Sequence, residues 1–599
     1  MSEARIHTRS FEFPRKLYQI GWFGLKDGLE VDFLKIGGLF LVAWFAALTL
    51  LFGLPTQVTF PLYVTIPVVI VYWGFTPDPK HARRRRLVAW MLAARYALVG
   101  HIPIVAGRRA GERGGVLTTR ERIDVAAWWR TRVLHKDDEH LWESATKGAR
   151  RPFPAGQPIT HMWWCACTAS STCRQLGIAV MFDSLKRAVG LYPQMGRSFP
   201  TYRAIADGII VTADRATVWM EITPASTQTA SAADLDDQVM SAIAQAQGAL
   251  ADYDCQLKIV WGAITSDTYR EDAPTFTQPQ SMAWAQARAD SIDSWELPER
   301  HVFIGVDVED RTTPGAVATI NAAADWIGGN RNSIPVKELE YLDGRMRSII
   351  GRMTGKPFQA LPVPAETLAW LVGRETFRTS DAKPREGTIT GAPLARLGRG
   401  RVVPFRDHLR FYDAQGAEVA YTACLLITEF PETVDTLSNG QWLLALSNIA
   451  RPTMDGAQAV LPEASVRFSF MSQASALKRV AKTQKRAKHQ RRDAEESHVE
   501  EADEDILLAE EEMRALGLEI KRGRTSLVEA WPILTVTENT LDDLYLAVDA
   551  TVEAYAQAGI TVDVCADEQD AAWLSSLPGD TVRIEDMNHV MDATAFFGS

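Results

Sequence analysis

Cysteine is scarce in this sequence, with 6 residues in a chain of 599. So few thiols exclude a disulfide scaffold and favour a reducing compartment. Three of them, Cys165, Cys167 and Cys173, follow His161 closely. Their spacing lacks the paired Cys-x-x-Cys knuckles of structural zinc sites, so we predict buried thiols and no metal. The spacing alone leaves metal binding by this cluster as an open alternative.

The sequence also lacks the motifs of common catalytic and nucleotide sites. No GxGxxG, HExxH or GxSxG segment occurs. The segment closest to a phosphate-binding loop, Gly351 to Phe358, has one residue too few between its glycines, and Pro357 stands where a magnesium-binding hydroxyl is needed. We therefore predict no catalytic residues and no cofactor, and we expect the chain not to be an enzyme.

An excess of positive charge is missing as well. The formal net charge is -10, which excludes general electrostatic attraction to nucleic acid, so that any such contact must be local. At 599 residues the chain is too long for one hydrophobic core, and several domains are expected.

Charged residues are absent between Ile36 and Pro77. Because a bilayer core needs about 20 apolar residues per crossing, this stretch predicts a membrane hairpin with spans at about 36–54 and 59–75. A buried core hairpin and a re-entrant hairpin are the alternatives. The stretch from Leu87 to Gly100 is apolar but short and contains Arg95, which favours an interfacial helix.

A basic cluster follows the second predicted span, and we expect it to contact the membrane surface. Such clusters stay on the cytoplasmic side of a membrane and attract anionic headgroups. The prediction is thus a two-span protein of the cell membrane, with both termini and the soluble part in the cytoplasm. The cluster consists of Lys80, Arg83, Arg84, Arg85 and Arg86.

Beyond the hairpin, alternating strand and helix patterns predict soluble domains of α+β (mixed α/β) class. We place membrane-associated residues at 1–100 and a connector at 101–155. A first α+β domain is predicted at 156–355 and a second module at 356–475, which a β-α-β unit at 521–599 completes. In that unit Thr540 and Asp543 form a helix cap, and Gly559 ends the helix.

A projecting charged helical arm is predicted at 476–520, because its first half is basic, its second half is acidic and large apolar residues are few. One interpretation is contact with nucleic acid, phosphate or an acidic partner. The other is a solvated helix whose basic half faces its own acidic half, which we favour because interleaved aromatic residues are missing. The candidate partner contacts are Lys482, Lys485, Arg486, Lys488, Arg491 and Arg492.

Two groups of segments resemble known families. The segment RSFEFPRKLYQIGWFGL, with the uncharged hairpin and the KHARRRR exit, resembles the TcpE-type membrane subunits of conjugation systems, which are compared with a VirB-type two-span subunit. DGIIVTADRATVWMEITP, HVFIGVDV, ALKRVAKTQKRAKHQRRDAEE and the stretch from LTVTENTLDD to SSLPGD resemble the region that precedes the motor in CagE/TrbE/VirB-family traffic ATPases of type IV secretion.

The resemblance implies a membrane anchor fused to the amino-terminal region of a traffic ATPase. In that family the motor follows this region, whereas this sequence ends at Ser599. We therefore expect the motor to be encoded separately, lost or missing. No catalytic residue of the family can be transferred to this chain.

The resulting hypothesis is a membrane-anchored scaffold subunit of a conjugative type IV secretion machine that docks a motor ATPase. Membrane lipids and other secretion subunits are the expected partners, and we expect an oligomer; direct contact with nucleic acid stays open. One alternative is part of a traffic ATPase without its motor domain. The other is a membrane-tethered binding module unrelated to secretion.

Overall fold

A computed structural model describes the chain in several stretches. These are residues 4–11, 16–30, parts of 37–53, 60–109, 202–310, 336–377, 401–496 and 504–598, with short internal gaps. Lys80 and the cluster of Cys165, Cys167 and Cys173 lie outside the described residues, as does most of the predicted connector. Asp214, which the sequence predicts at the turn of a β-hairpin between GIIVT and ATVWMEITP, also lies outside them.

Strands dominate the described residues. They are β1 (Ala4–Arg5), β2 (Lys16–Ile20), β3 (Phe23–Glu30), β4 (Ile104–Val105), β5 (Arg108–Arg109), β6 (Tyr202–Ala206), β7 (Ile209–Thr212), β8 (Arg215–Ile222), β9 (Asp254–Ala263), β10 (Pro298–Asp310), β11 (Leu361–Pro362), β12 (Arg401–Pro404), β13 (Leu409–Tyr412), β14 (Glu418–Glu429), β15 (Thr433–Val434), β16 (Ile449–Thr453), β17 (Gly456–Val460), β18 (Glu463–Phe470), β19 (Leu527–Glu538), β20 (Thr561–Val564) and β21 (His589–Asp592).

The helices lie between these strands and mostly cover the faces of the sheet. They are α1 (Thr8–Phe11), α2 (Phe60–Gly74), α3 (Arg86–Arg95), α4 (Ala232–Leu250), α5 (Pro279–Trp295), α6 (Val336–Met353), α7 (Ala365–Phe377), α8 (Gln473–Glu496), α9 (Glu504–Lys521), α10 (Leu541–Gln557), α11 (Gln569–Ser576) and α12 (Ala593–Phe597).

Most of the described strands belong to one antiparallel sheet. Its main path runs β5-β4-β12-β13-β14-β19-β18-β9-β10-β8-β7-β6. The pairing of β9 with β18, for example Leu257 opposite Val466, joins strands from the two predicted modules. Strands β20 and β19 flank β14 on opposite sides, so the predicted β-α-β unit encloses a strand from elsewhere in the chain.

The two faces of the sheet have different chemistry because neighbouring residues of a strand point to opposite sides. On one face, side chains such as Val218, Ile304 and Val466 join the largest apolar core, together with residues of α4, α6, α10 and α12. On the other face, a smaller core around Trp219 packs against α7, and another around Leu426 packs against α11. Helices and antiparallel strands are thus mixed, as the sequence predicts for this part of the chain.

Several predicted elements are confirmed in detail. The hairpin of β7 and β8 pairs Ile209 with Val218. At the start of α10, Thr540 adopts an extended conformation and its hydroxyl accepts a hydrogen bond from the Asp543 amide at 3.2 Å. Gly559 follows this helix with a φ of 76°, a backbone conformation that favours glycine at a helix end.

The membrane prediction is wrong. Among the residues that the structure describes, no helix is both long enough and apolar enough to cross a bilayer. In the second predicted span, helix α2 has 15 residues, or about 22 Å at 1.5 Å per residue, against about 30 Å for a hydrocarbon core. This finding contradicts the predicted two-span hairpin and the placement in the bacterial cell membrane.

A polar stripe runs across the second face of the sheet between its two small cores. Lys258 of β9 forms a buried ion pair with Glu375 of α7, and its Nζ also donates to the carbonyl of Ser576 at 3.0 Å. Gln256 donates to the same carbonyl at 2.8 Å, and Arg467 of β18 donates to the carbonyl of Leu577 at 3.0 Å. These side chains bind the free carbonyls at the end of α11, where positive charge is favoured.

The Lys258–Glu375 pair gives a first prediction. Replacing Lys258 with Met should lower the free energy of unfolding by about 3–5 kcal/mol, because Glu375 would keep a buried charge without its partner. Urea unfolding measures this difference. The control is Arg270→Ala, which removes an exposed pair with Asp290 and should cost about 1 kcal/mol or less. Equal losses in the two variants would contradict the prediction.

His589 gives a second prediction. Its Nε2 donates to the Ile427 carbonyl at 2.8 Å, and burial together with the nearby Arg83 lowers the pKa of its imidazole to about 3. In the unfolded chain the pKa is near 6.5. The contribution of neutral His589 to the free energy of unfolding is therefore complete above about pH 6.5. It decreases by about 1.4 kcal/mol per pH unit as the pH falls towards 3.

The measurement compares the wild type with His589→Gln in urea at pH 7, 6 and 5. Because glutamine does not titrate, the stability advantage of the wild type should shrink by about 2 kcal/mol over this range. Comparing the two proteins cancels the titration of the other groups. An advantage that stays constant with pH would show that His589 is not the titrating group.

Candidate interaction surfaces

Helix α2 leaves an apolar face uncovered, although one of its sides is packed. The Tyr63 ring lies 5.3 Å from that of Phe45, and its hydroxyl donates to the carbonyls of Leu48 at 3.1 Å and Gly53 at 2.7 Å. The opposite side is exposed. We define the tryptophan face as Val68, Val69, Tyr72 and Trp73 of α2 with Trp90 of α3.

The tryptophan face consists largely of aromatic rings, and an arginine lies at its edge. Tyr72 is 71% exposed and Trp73 is 56% exposed. The ring of Trp90 meets that of Trp73 edge to face at 6.0 Å, and the Arg86 guanidinium lies 5.7 Å from the Trp73 ring. Trp, Tyr and Arg are the residues most enriched at the energetic centres of protein interfaces.

A cavity of about 520 Å³ opens beside this face. Trp73, Trp90 and Arg86 line one side, and Arg406 and Asp567 line another. Arg406 forms an ion pair with Asp567 at 3.0 Å. The cavity therefore combines aromatic walls with charged groups, a combination that suits an inserted side chain of a partner.

The basic cluster after α2 is bound to the body of the protein. Arg84, 4% exposed, pairs with Glu568 at 2.8 Å and Asp586 at 3.0 Å. Arg83 donates to the carbonyl of Asn588 at 2.5 Å, and Arg85 donates to that of Phe75 at 2.7 Å. Of the predicted membrane contacts, Arg84 is buried and has no surface to offer a headgroup.

A similar contact between an arginine and a carboxylate attaches α3 to α11. Arg95 binds Asp570, in the first turn of α11, through two hydrogen bonds of 2.8 and 3.3 Å. Acidic side chains at a helix start are favoured by the helix dipole, and the arginines balance their buried charge. Neighbouring Cys565 is buried and the pKa of its thiol is raised well above the usual value by burial and by Glu568, which describes an unreactive thiol.

The predicted arm is a pair of packed helices, α8 and α9. One side of α8, including Ala476 and Val480, packs against Met513, Leu516 and Ile520 of α9. Towards the base, Arg479 pairs with Glu529 at 3.0 Å; farther out, Arg491 pairs with Glu510 at 2.8 Å. The basic helix thus faces the acidic one in part, as the favoured interpretation expects.

The predicted partner contacts on α8 differ in their exposure to solvent. Arg491 is used within the arm, and Arg486 is half-buried. Lys482, Lys485, Lys488 and Arg492 are exposed on the outer side. Sequence reasoning missed Lys478, which shares this side; the spacing of three and four residues from Lys478 onward is the signal that reveals it.

The described stretches contain no candidate metal centre. In them, no three His, Cys, Asp or Glu side chains are placed to hold a metal ion. The buried charges that are described, such as Arg84, Lys258 and Arg467, bind carboxylates or backbone carbonyls.

Comparison with known proteins assigns no family. No family model matches the sequence. One similar protein is a 23S rRNA (uridine(2479)-2'-O)-methyltransferase of Streptomyces viridochromogenes, 28% identical over 102 residues, which is 17% of this chain and 35% of that protein. The chain thus spans about a third of the length of this relative, and the match is too short and too distant to show a shared fold or activity.

The arginines of the basic cluster give a third prediction. Replacing Arg84 with Met should lower the free energy of unfolding by about 3–5 kcal/mol, since Glu568 and Asp586 would lose their buried partner. Arg86→Met, which removes only a contact with an exposed ring, should cost about 1 kcal/mol or less. Urea unfolding of the two variants checks this ranking, and equal losses would overturn it.

Proposed function

We propose that this chain is a non-catalytic assembly subunit of a type IV secretion machine and docks a separately encoded motor ATPase. The observation that carries the proposal is the tryptophan face, an exposed apolar and aromatic surface next to a cavity. The resemblance to the region preceding the motor of traffic ATPases suggests the identity of the partner. Membrane anchoring is no part of the proposal.

The composition of the tryptophan face favours a protein partner. Exposed apolar side chains are common singly, but a contiguous group marks an interaction site. Here two tryptophans, a tyrosine and an arginine lie together where the end of α2 meets α3. Rigid aromatic side chains lose little conformational entropy on binding, so a small number of them supplies most of the affinity at an interface.

The attachment of this face to the sheet supports a docking role. Arg84 and Arg95 tie the segment around α3 to acidic residues at the start of α11, and α11 ends on the polar stripe of the central strands. Buried ion pairs therefore connect the tryptophan face to α11, and α11 connects it to the sheet. A subunit that holds a motor needs such a rigid connection.

Co-purification with a motor-type ATPase tests the proposal and is the fourth prediction. The tagged chain is isolated from cells that express the whole surrounding operon. The wild type should retain the ATPase, whereas the double variant Tyr72→Ser, Trp73→Ser should retain at least about 10-fold less, because loss of interface aromatics costs about 2 kcal/mol or more each.

The matched control is Met282→Ser, Trp284→Ser, which removes exposed apolar side chains from α5, far from α2 in sequence. It should leave co-purification unchanged. A clean complex without a motor-type ATPase would contradict the proposal. Saturable binding of ATP by the purified chain alone would instead favour an enzymatic role, and we expect none.

A further inference from the structure

The outer side of helix α8 presents a row of positive charge, which we call the lysine stripe. Its members are spaced by four, three, three and four residues, so they follow one another along one side of the helix. At 1.5 Å per residue the row is about 21 Å long. The stripe consists of Lys478, Lys482, Lys485, Lys488 and Arg492, all exposed.

The orientation of the lysine stripe is set by the packing of the arm. Val480, Thr483, Ala487 and Gln490 are buried on the opposite side of α8. The stripe therefore cannot turn inward without breaking the contact between α8 and α9. Among the ion pairs in the described part of the chain, none involves a member of the stripe, whereas Arg479 and Arg491 are paired with Glu529 and Glu510.

This arrangement is unfavourable for an isolated helix. Like charges three or four residues apart destabilise a helix by about 0.2–0.5 kcal/mol per pair. The stripe contains four such successive pairs, in a chain whose net charge is -10. An anionic ligand that lies along the helix would neutralise all five charges together.

The chemistry of the stripe distinguishes nucleic acid from an acidic protein. Protein interfaces are depleted in lysine and depend on aromatic and aliphatic anchors. The other exposed positions in the described part of α8 are Gln473, Ala474, Ser475, Ala481 and His489, and they offer no large apolar anchor. A phosphate backbone, in contrast, needs only regularly spaced cations, and over about 21 Å each strand of a duplex presents about six phosphates.

We infer that the lysine stripe binds the phosphate backbone of duplex nucleic acid without reading its sequence. Aromatic side chains, on which the bases of single strands stack, are absent from the stripe. Arg492, at one end, is the one member of the stripe with a planar guanidinium; the four lysines carry flexible point charges, which suit phosphates more than base edges. The inference is independent of motor docking, which uses a different surface.

The salt dependence of binding gives the fifth prediction. Anisotropy of a labelled DNA duplex of about 30 base pairs and arbitrary sequence is measured with the full chain between about 50 and 200 mM NaCl. Five neutralised phosphates predict a slope of about -4.5 for the logarithm of the association constant against the logarithm of salt concentration. A second duplex of different sequence should bind with the same affinity within about threefold.

The test variant is Lys482→Gln, Lys485→Gln, Lys488→Gln, Arg492→Gln. It should bind the duplex at least about 100-fold more weakly at 100 mM salt, and its slope should fall to about -1 because one contact remains. The matched control, Arg347→Gln, Lys356→Gln, Arg514→Gln, Arg522→Gln, makes the same change in net charge at exposed positions outside the stripe. It should bind as the wild type does.

Three outcomes would overturn the inference. The control could weaken binding as much as the test variant, the wild type could lack salt-dependent binding to the duplex, or it could bind poly-glutamate more tightly than DNA at equal salt. The last result would assign the stripe to an acidic protein. Because all eight substituted side chains are exposed, circular dichroism and thermal unfolding should be unchanged in both variants, which separates loss of binding from loss of fold.

Discussion

The structure depends on the short helix α11, which is held at both ends. At its start, Arg84 and Arg95 neutralise Glu568 and Asp570. In its last turn and just beyond it, side chains of the central strands bind the carbonyls of residues 575–577. Both sets of contacts match the direction of the helix dipole. Since one set comes from the amino-terminal helices and the other from β9 and β18, α11 links the tryptophan face to the joint between the two halves of the sheet.

Local patterns in the sequence predict most of the individual elements but not their partners. The hairpins, the α10 cap and the charged arm follow from periodicity and turn chemistry, which act within a few residues. The pairing of β9 with β18 and the position of β14 between β19 and β20 join residues far apart in sequence. Single-sequence patterns specify that a strand is buried on both faces, but not which strand lies beside it.

The error about the membrane has a physical cause. An uncharged stretch satisfies the composition of a span, yet a span also needs an unbroken helix of about 20 residues. Helix α2 ends at Gly74, and the hydroxyl of Thr76 binds the Trp73 carbonyl at 2.7 Å. The arginines beyond it meet buried carboxylates from the far end of the chain. These ion pairs are tertiary contacts, and the composition of the basic cluster does not reveal them.

The two candidate surfaces differ in how far the sequence reveals them. On α8, exposure follows from helical periodicity, so most of the lysine stripe is visible in the sequence once the buried side is known. On α2, apolar residues occupy every side, and only the tertiary structure shows which of them remain exposed. An apolar helix left half-covered costs solvation free energy in the free protein. In the proposed function a partner covers that face and recovers this cost, whereas the lysine stripe needs only a ligand of opposite charge.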